Sequence, residues 1–166
     1  MIKQFILDPS NPVFRVIGGG VASVLAVFAD LNQTAIPNSV SLVAHTELRF
    51  NILSLERYIF LYHLFYQTTG VADIQFDITG PVGATGNYGN FRFNSGGGGT
   101  NAAGAINGTG FNANGGGVGV TNAISIMGSV LNAGLNGEVN LRFAQNTAEV
   151  SDTIILAGSF LIAIRI

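Results

Sequence analysis

Between residues 57 and 81 the sequence reads RYIFLYHLFYQTTGVADIQFDITGP, and large side chains fall on every second position for two runs. A period of two places successive side chains on opposite faces of an extended strand, and a helix has no use for it. The two runs are therefore expected to be strands, joined by a tight turn at Gln67-Thr68-Thr69-Gly70 into a central hairpin. In the second run Ile74, Phe76 and Ile78 alternate with Asp73, Gln75, Asp77 and Thr79, which gives one dry face and one wet face. In the first run both sets are apolar: Tyr58, Phe60, Tyr62, Leu64 and Tyr66 on one face, Ile59, Leu61, His63 and Phe65 on the other. One face can fill the chain's own core and the other needs cover, which a second copy supplies most simply. The alternation fits either face as core; the tyrosine-bearing set Tyr58, Phe60, Tyr62, Leu64 and Tyr66 is the candidate oligomer interface.

The rest of the chain repeats the same period. Leu48, Phe50 and Ile52 point inward from a strand at 47–52; Ile124, Ile126 and Val130 do so from 122–131, and Val139, Leu141 and Phe143 from 137–145. Leu135-Asn136-Gly137 supplies a turn of the kind that hairpins use. The chain then closes on Phe160, Ile162, Ile164 and Ile166 as the buried set of a last strand, with Gly158 as a bulge before it. Residues 82–120 are rich in Gly, Asn, Ala and Thr, and with few side chains to pack they read as a long loop. Residues 1–38 contain two prolines spaced by Ser-Asn and a Gly18-Gly19-Gly20 run, so they read as an extended arm and linker; 21–30 fits a strand or a short helix. The expected architecture is all-β, an antiparallel, jelly-roll-like β-sandwich over 39–166 with an N-terminal arm and a glycine-rich loop.

Composition limits the function. Charged residues make up 10% of the 166, against about 25% in an average soluble domain. A net charge of −2 with a single lysine, Lys3, leaves no basic patch for nucleic acid. The mean hydropathy of +0.44 comes from strand-length runs, none near the roughly 18 residues of a spanning helix, so no membrane partner is expected. There are no cysteines, hence no disulfide or thiolate metal site.

No constellation of chemistry-bearing residues emerges. His63 reads as a satisfied interface or core histidine, and His45 has no companion ligands at a metal spacing. Asp73 and Asp77 on one strand face lie about 13 Å apart, too far to share a proton or flank a glycosidic bond. Gly108-Thr109-Gly110 begins a dinucleotide fingerprint, but Ala113 occupies the third glycine position and the surroundings are not βαβ. No enzyme, cofactor or metal is expected.

Several segments carry a resemblance. The pieces TELRFNI, RYIFLYHLFYQTTGVADIQFDITGPVGAT and LNGEVNLRFAQNTAEVSDTIILAGSFLIAIRI resemble a β-sandwich domain of structural proteins of tailed bacteriophages. The matching motifs are Ala-Asp-Ile-Gln-Phe at 72–76, Gly-Pro-Val-Gly-Ala at 80–84, Leu-Arg-Phe-Ala-Gln-Asn at 141–146 and Ala-Gly-Ser at 157–159. The resemblance implies a virion structural protein without catalysis, usually a homotrimer. It would decorate the outer surface of the capsid as a cement protein bound to the major capsid protein, or stand at the tip of a fibre. On the first reading the arm residues Phe5, Ile6, Leu7, Val13, Phe14 and Val16 contact the capsid. On the second, the glycine-rich loop binds a host glycan with Tyr88 as a stacking surface. A cellular jelly-roll enzyme or sugar-binding domain is the third reading; the sequence lacks the clustered His and Glu that an enzyme of that kind needs.

Overall fold

The computed structural model describes residues 24–93 and 102–166, together with 5–8 and 11–16; for 5–8, 11–16, 92 and 93 the description is of the backbone. Every regular element among them is a strand. In chain order they are β1 (Phe5–Asp8), β2 (Asn11–Val16), β3 (Val24–Phe28), β4 (Gln33–Thr34), β5 (Val43–Ile52), β6 (Arg57–Gln67) and β7 (Ile74–Thr79). There follow β8 (Ala84–Phe93), β9 (Ala103–Ala105), β10 (Phe111–Ala113), β11 (Asn122–Asn132), β12 (Gly137–Gln145), β13 (Ile154–Ile155) and β14 (Phe160–Arg165).

The pairing is nested. β5 pairs with β12, β6 with β11, β7 with β10 and β8 with β9, all antiparallel. Residues 43–145 thus form one long hairpin whose arms run β5 to β8 and back from β9 to β12. Rolling that hairpin brings β12 beside β7 and β11 beside β8, which yields the orders β5-β12-β7-β10 and β6-β11-β8-β9. This is the jelly roll, in which the two sheets share one core. The second sheet grows further at its β6 edge, where β14 and then β3 add on and β13 bridges β6 to β4.

The core is built by the period of two. Leu48, Phe50, Ile52, Val139, Leu141, Phe143, Ile74, Phe76 and Ile78 face inward from the smaller sheet, none more than 3% exposed, and Ile124, Ile126 and Val130 from the larger are fully buried. Each such side chain contributes about 1.5–3 kcal/mol on leaving water.

Five expectations need correction. β6 and β7 lie in different sheets, so residues 68–73 cross the core edge as an arch. The polar turn there is satisfied internally: the Thr68 hydroxyl donates to the Asp73 carbonyl at 2.9 Å, and the Ala72 amide donates to Thr69 Oγ1 at 2.9 Å. A strand dry on its core face can put that face opposite its predecessor's only by changing sheets. Residues 133–136 likewise carry β11 across to β12, and the Asn136 side chain accepts from the Ser54 amide at 2.7 Å.

The glycine-rich stretch is not one loop, since β8, β9 and β10 all fall within 82–120. Its glycines make room for Tyr88: a methyl group on Gly104 would stand 2.4 Å from the Tyr88 ring, and one on Gly128 of β11 2.6 Å from both Tyr88 Cβ and Phe60 Cζ. The last strand has the opposite phase to that expected. Leu161 and Ala163 are fully buried, whereas Phe160, Ile162 and Ile164 look outward and Ile166 is exposed. Finally, β3 is hydrogen-bonded to β14, so the sandwich begins at residue 24 rather than 39.

The bulge anticipated near Gly158 is present. β13 meets β6 with Ile155 opposite Tyr66, β14 meets it with Phe160 opposite His63, and the two extra residues are accommodated at Gly158, whose φ is +85°.

Candidate interaction surface

Tyr58, Phe60, Tyr62, Leu64 and Tyr66, the expected interface set, lie inside the sandwich at 0–9% exposure. They form the core face of β6, and burial pushes the Tyr62 hydroxyl far above the ordinary phenol range. Tyr66 donates to the Asn114 carbonyl at 3.0 Å and Tyr58 to Glu56 at 2.8 Å. Burial, with the neighbouring Glu56, holds the Tyr58 pKa at about 12. Because both faces of this strand are apolar, the sequence left the phase undetermined, and the core took the set with the larger aromatic volume. The opposite set, Ile59, Leu61, His63 and Phe65, points out.

That outward set belongs to a broad face. Register across β3, β14, β6, β11 and β8 aligns three rows on it: Phe28, Phe160, His63, Ser125 and Phe91; Ala26, Ile162, Leu61, Met127 and Gly89; Val24, Ile164, Ile59, Ser129 and Asn87. None of these fifteen positions carries Asp, Glu, Lys or Arg. Phe28, Ile59, Met127 and Phe91 are 37%, 41%, 52% and 55% exposed. In the first row Phe160 stacks on His63 with ring centroids 5.2 Å apart, Phe28 stands 5.9 Å from Phe160, and His63 Nδ1 hydrogen-bonds Ser125 Oγ at 2.9 Å.

The outer face of the smaller sheet has the reverse character. Arg49 and Asn51 of β5, Glu138, Asn140 and Arg142 of β12, Gln75, Asp77 and Thr79 of β7 and Asn112 of β10 occupy its outward positions. Arg49 pairs with Glu138 at 3.2 Å. Asp77 departs from the wet surface expected of it: its carboxylate is buried, pairs with Arg142, and accepts from the Tyr88 hydroxyl at 3.3 Å. Tyr88 itself is 3% exposed, with its hydroxyl pushed up by burial and by Asp77, so it offers no platform for a sugar.

One polar group was missed by the sequence reading. Residues 45–48 of β5 lie opposite Leu141 alone, a wide bulge in an edge strand. The fully buried His45 holds that bulge, its Nδ1 accepting from the amides of Glu47 and Leu48, each at 3.2 Å. Its ring lies 6.1 Å from Phe143, and burial lowers its pKa to about 4. Among the described residues no three His, Asp or Glu side chains gather as a metal-ligand group, and no helix is long and apolar enough to cross a membrane.

The arm residues Phe5, Ile6, Leu7, Val13, Phe14 and Val16 fall on β1 and β2, which pair as a short antiparallel hairpin with Phe5 opposite Val16 and Asp8 opposite Asn11. The Gly-rich segment 94–101 lies outside the described residues.

No family model matches this sequence, and no curated protein does. Among solved structures the chain is similar to the VP2 protein of infectious bursal disease virus. A mutant form in derived T=1 particles aligns at 12% identity over 99% of this chain and 44% of that one, with a TM-score of 0.24. The virus of the Gt strain aligns at 12% identity, 99% and 45% coverage and a TM-score of 0.22; for the Gx strain the values are 13%, 99%, 46% and 0.21. This chain spans less than half of each, and at such TM-scores the likeness carries no argument about function.

Proposed function

We propose that the chain is a virion structural protein of a tailed bacteriophage, a homotrimeric decoration (cement) protein. It binds the major capsid protein on the outer surface of the head and stabilises the shell. The observation that carries this reading is where the motif residues stand in the roll. Residues 72–76 lead into and begin β7 and 80–84 follow it, at the points where the chain changes sheets, and 157–159 form the bulge beside β6. Residues 72 and 146 meet directly: the Ala72 carbonyl accepts from the amides of Asn146 and Thr147, at 3.0 and 2.9 Å. Gln145, fully buried, accepts from the Ser39 and Glu149 amides and donates to the carbonyls of Glu149 and Ser151 at 2.8 and 2.6 Å. Most motif residues thus sit at or next to the joints of the sandwich, which supports the resemblance.

The mechanism is mass action. A protein that binds the assembled shell and not its separated subunits stabilises the shell by RT ln(1 + [L]/Kd), about 2.7 kcal/mol at a hundred times Kd. The hairpin bearing Phe5, Ile6, Leu7, Val13, Phe14 and Val16 is the capsid contact in this reading. Co-sedimentation tests it: the purified protein should pellet with empty expanded heads and remain in solution with host cells. Pelleting with cells and not with heads would replace it with the fibre-tip reading. Deleting residues 1–20 should abolish head binding and preserve the oligomer.

A further inference from the structure

We infer that copies of this chain pack against one another through the outer face of the larger sheet, an inference that rests on the oligomeric reading above and places its contact. Three observations lead there. The first is the contrast between the two sheets: the smaller one presents Arg49, Glu138 and Arg142 to solvent, while the fifteen aligned positions of the larger one carry no charge. Monomers seldom leave a contiguous apolar patch of that breadth in water.

The second is size. Five strands at about 4.8 Å spacing and five residues at about 3.4 Å rise make a face of about 24 by 17 Å, roughly 400 Å² before side-chain relief is counted, about half of the roughly 800 Å² that each partner contributes to a standard interface. The chain's own β1–β2 hairpin is two strands wide, about 10 Å, and cannot span five. In a trimer the same sheet of each of the other two copies has the matching breadth, the three faces converging on the threefold axis so that each covers part of the next.

The third is the polar content. Acidic, basic and nucleic-acid partners find no opposite charge here, whereas a neutral apolar face suits the same face of neighbouring copies. His63 Nδ1 and Ser125 Oγ already satisfy one another, so covering that row strands neither atom of the pair. Ile59, Leu61 and Met127 form the centre of the contact.

Single cysteines test the placement, since the chain has none of its own. Met127→Cys, treated with a short bis-maleimide at micromolar concentration, should give a covalent dimer, the largest product that one thiol per chain allows. Leu135→Cys, at a turn where the native side chain is 76% exposed, should remain a single chain. Cross-linking at 135 and not at 127 overturns the inference. The double variant Ile59→Lys, Met127→Lys, with its β-sheet circular dichroism retained, should lose the wild-type oligomer at concentrations where the wild type is fully assembled. If the wild type is an oligomer and the folded double variant keeps its mass, the placement is wrong and the oligomeric reading stands. If the wild type is itself a monomer, both fall.

Discussion

His45 joins the chemistry of one ring to the shape of an edge strand. The two amides that the 45–48 bulge turns away from the ladder have the Nδ1 lone pair as their acceptor, and a proton on that atom removes it. The folded-state pKa of about 4 lies below the ordinary 6.5, so the unfolded chain takes up the proton first. This contribution is therefore intact above about pH 6.5 and is lost as the pH falls toward 4, a total of roughly 3 kcal/mol. Urea midpoints at pH 7 and pH 4.5 should fall farther for the wild type than for His45→Gln; equal falls would show that the ring does not carry this acid sensitivity. Asp77 makes a second residue-scale prediction. Asp77→Asn leaves Arg142 without its counter-charge, at a cost of roughly 1–3 kcal/mol after allowing for the partial exposure of that arginine. Thermal melts at neutral pH measure it, and an unchanged melting temperature would mean that the pair is energetically idle.

At the scale of elements, the glycines of the side-chain-poor strands fix how closely those strands pass. Gly128→Ala brings a methyl to 2.6 Å from the Asn87 carbonyl oxygen, a backbone atom that cannot yield without opening the β11–β8 ladder. It should cost about 1–3 kcal/mol, while Gly89→Ala, whose nearest neighbour would be 3.7 Å away, should stay within about 0.5 kcal/mol. Denaturant titration of both variants checks the contrast. β14 lies between β3 and β6, so deleting residues 160–166 should abolish folding, read as loss of the cooperative transition. Removing Ile166 alone takes away an exposed side chain and one hydrogen bond, from its amide to the Arg57 carbonyl, with little effect.

These elements also show what the sequence could convey. β5 and β12 were legible because each sets an apolar face against a mostly polar one, and that contrast fixes the phase; on β11 the run Ile124, Ile126 and Val130 against Ser125 and Ser129 does so. β6 and β14 are apolar on both faces, so alternation located the strands and could not orient them. β8 to β10 escaped because glycine and asparagine carry no periodic signal; their order comes from pairing with strands remote in sequence. The arches after β6 and β11 use the residues a hairpin turn would use, and only the partners chosen across the sheet tell the two apart. His45 gave no local signal, since a bulge is defined by the strand opposite. The motifs at 72–76 and 141–146 were visible, but not the bonds from Asn146 and Thr147 to Ala72 that join them.

For the whole molecule, the decisive feature is the unlike character of its two outer sheet faces, one charged and hydrated, the other broad, apolar and neutral. A sandwich so made is suited to pack against further copies through its apolar face. The most direct test is the solution mass of the wild-type chain by light scattering across a dilution series. We predict three times the 17.3 kDa chain mass, persisting into the low micromolar range. A mass of 17.3 kDa at every concentration would contradict the account.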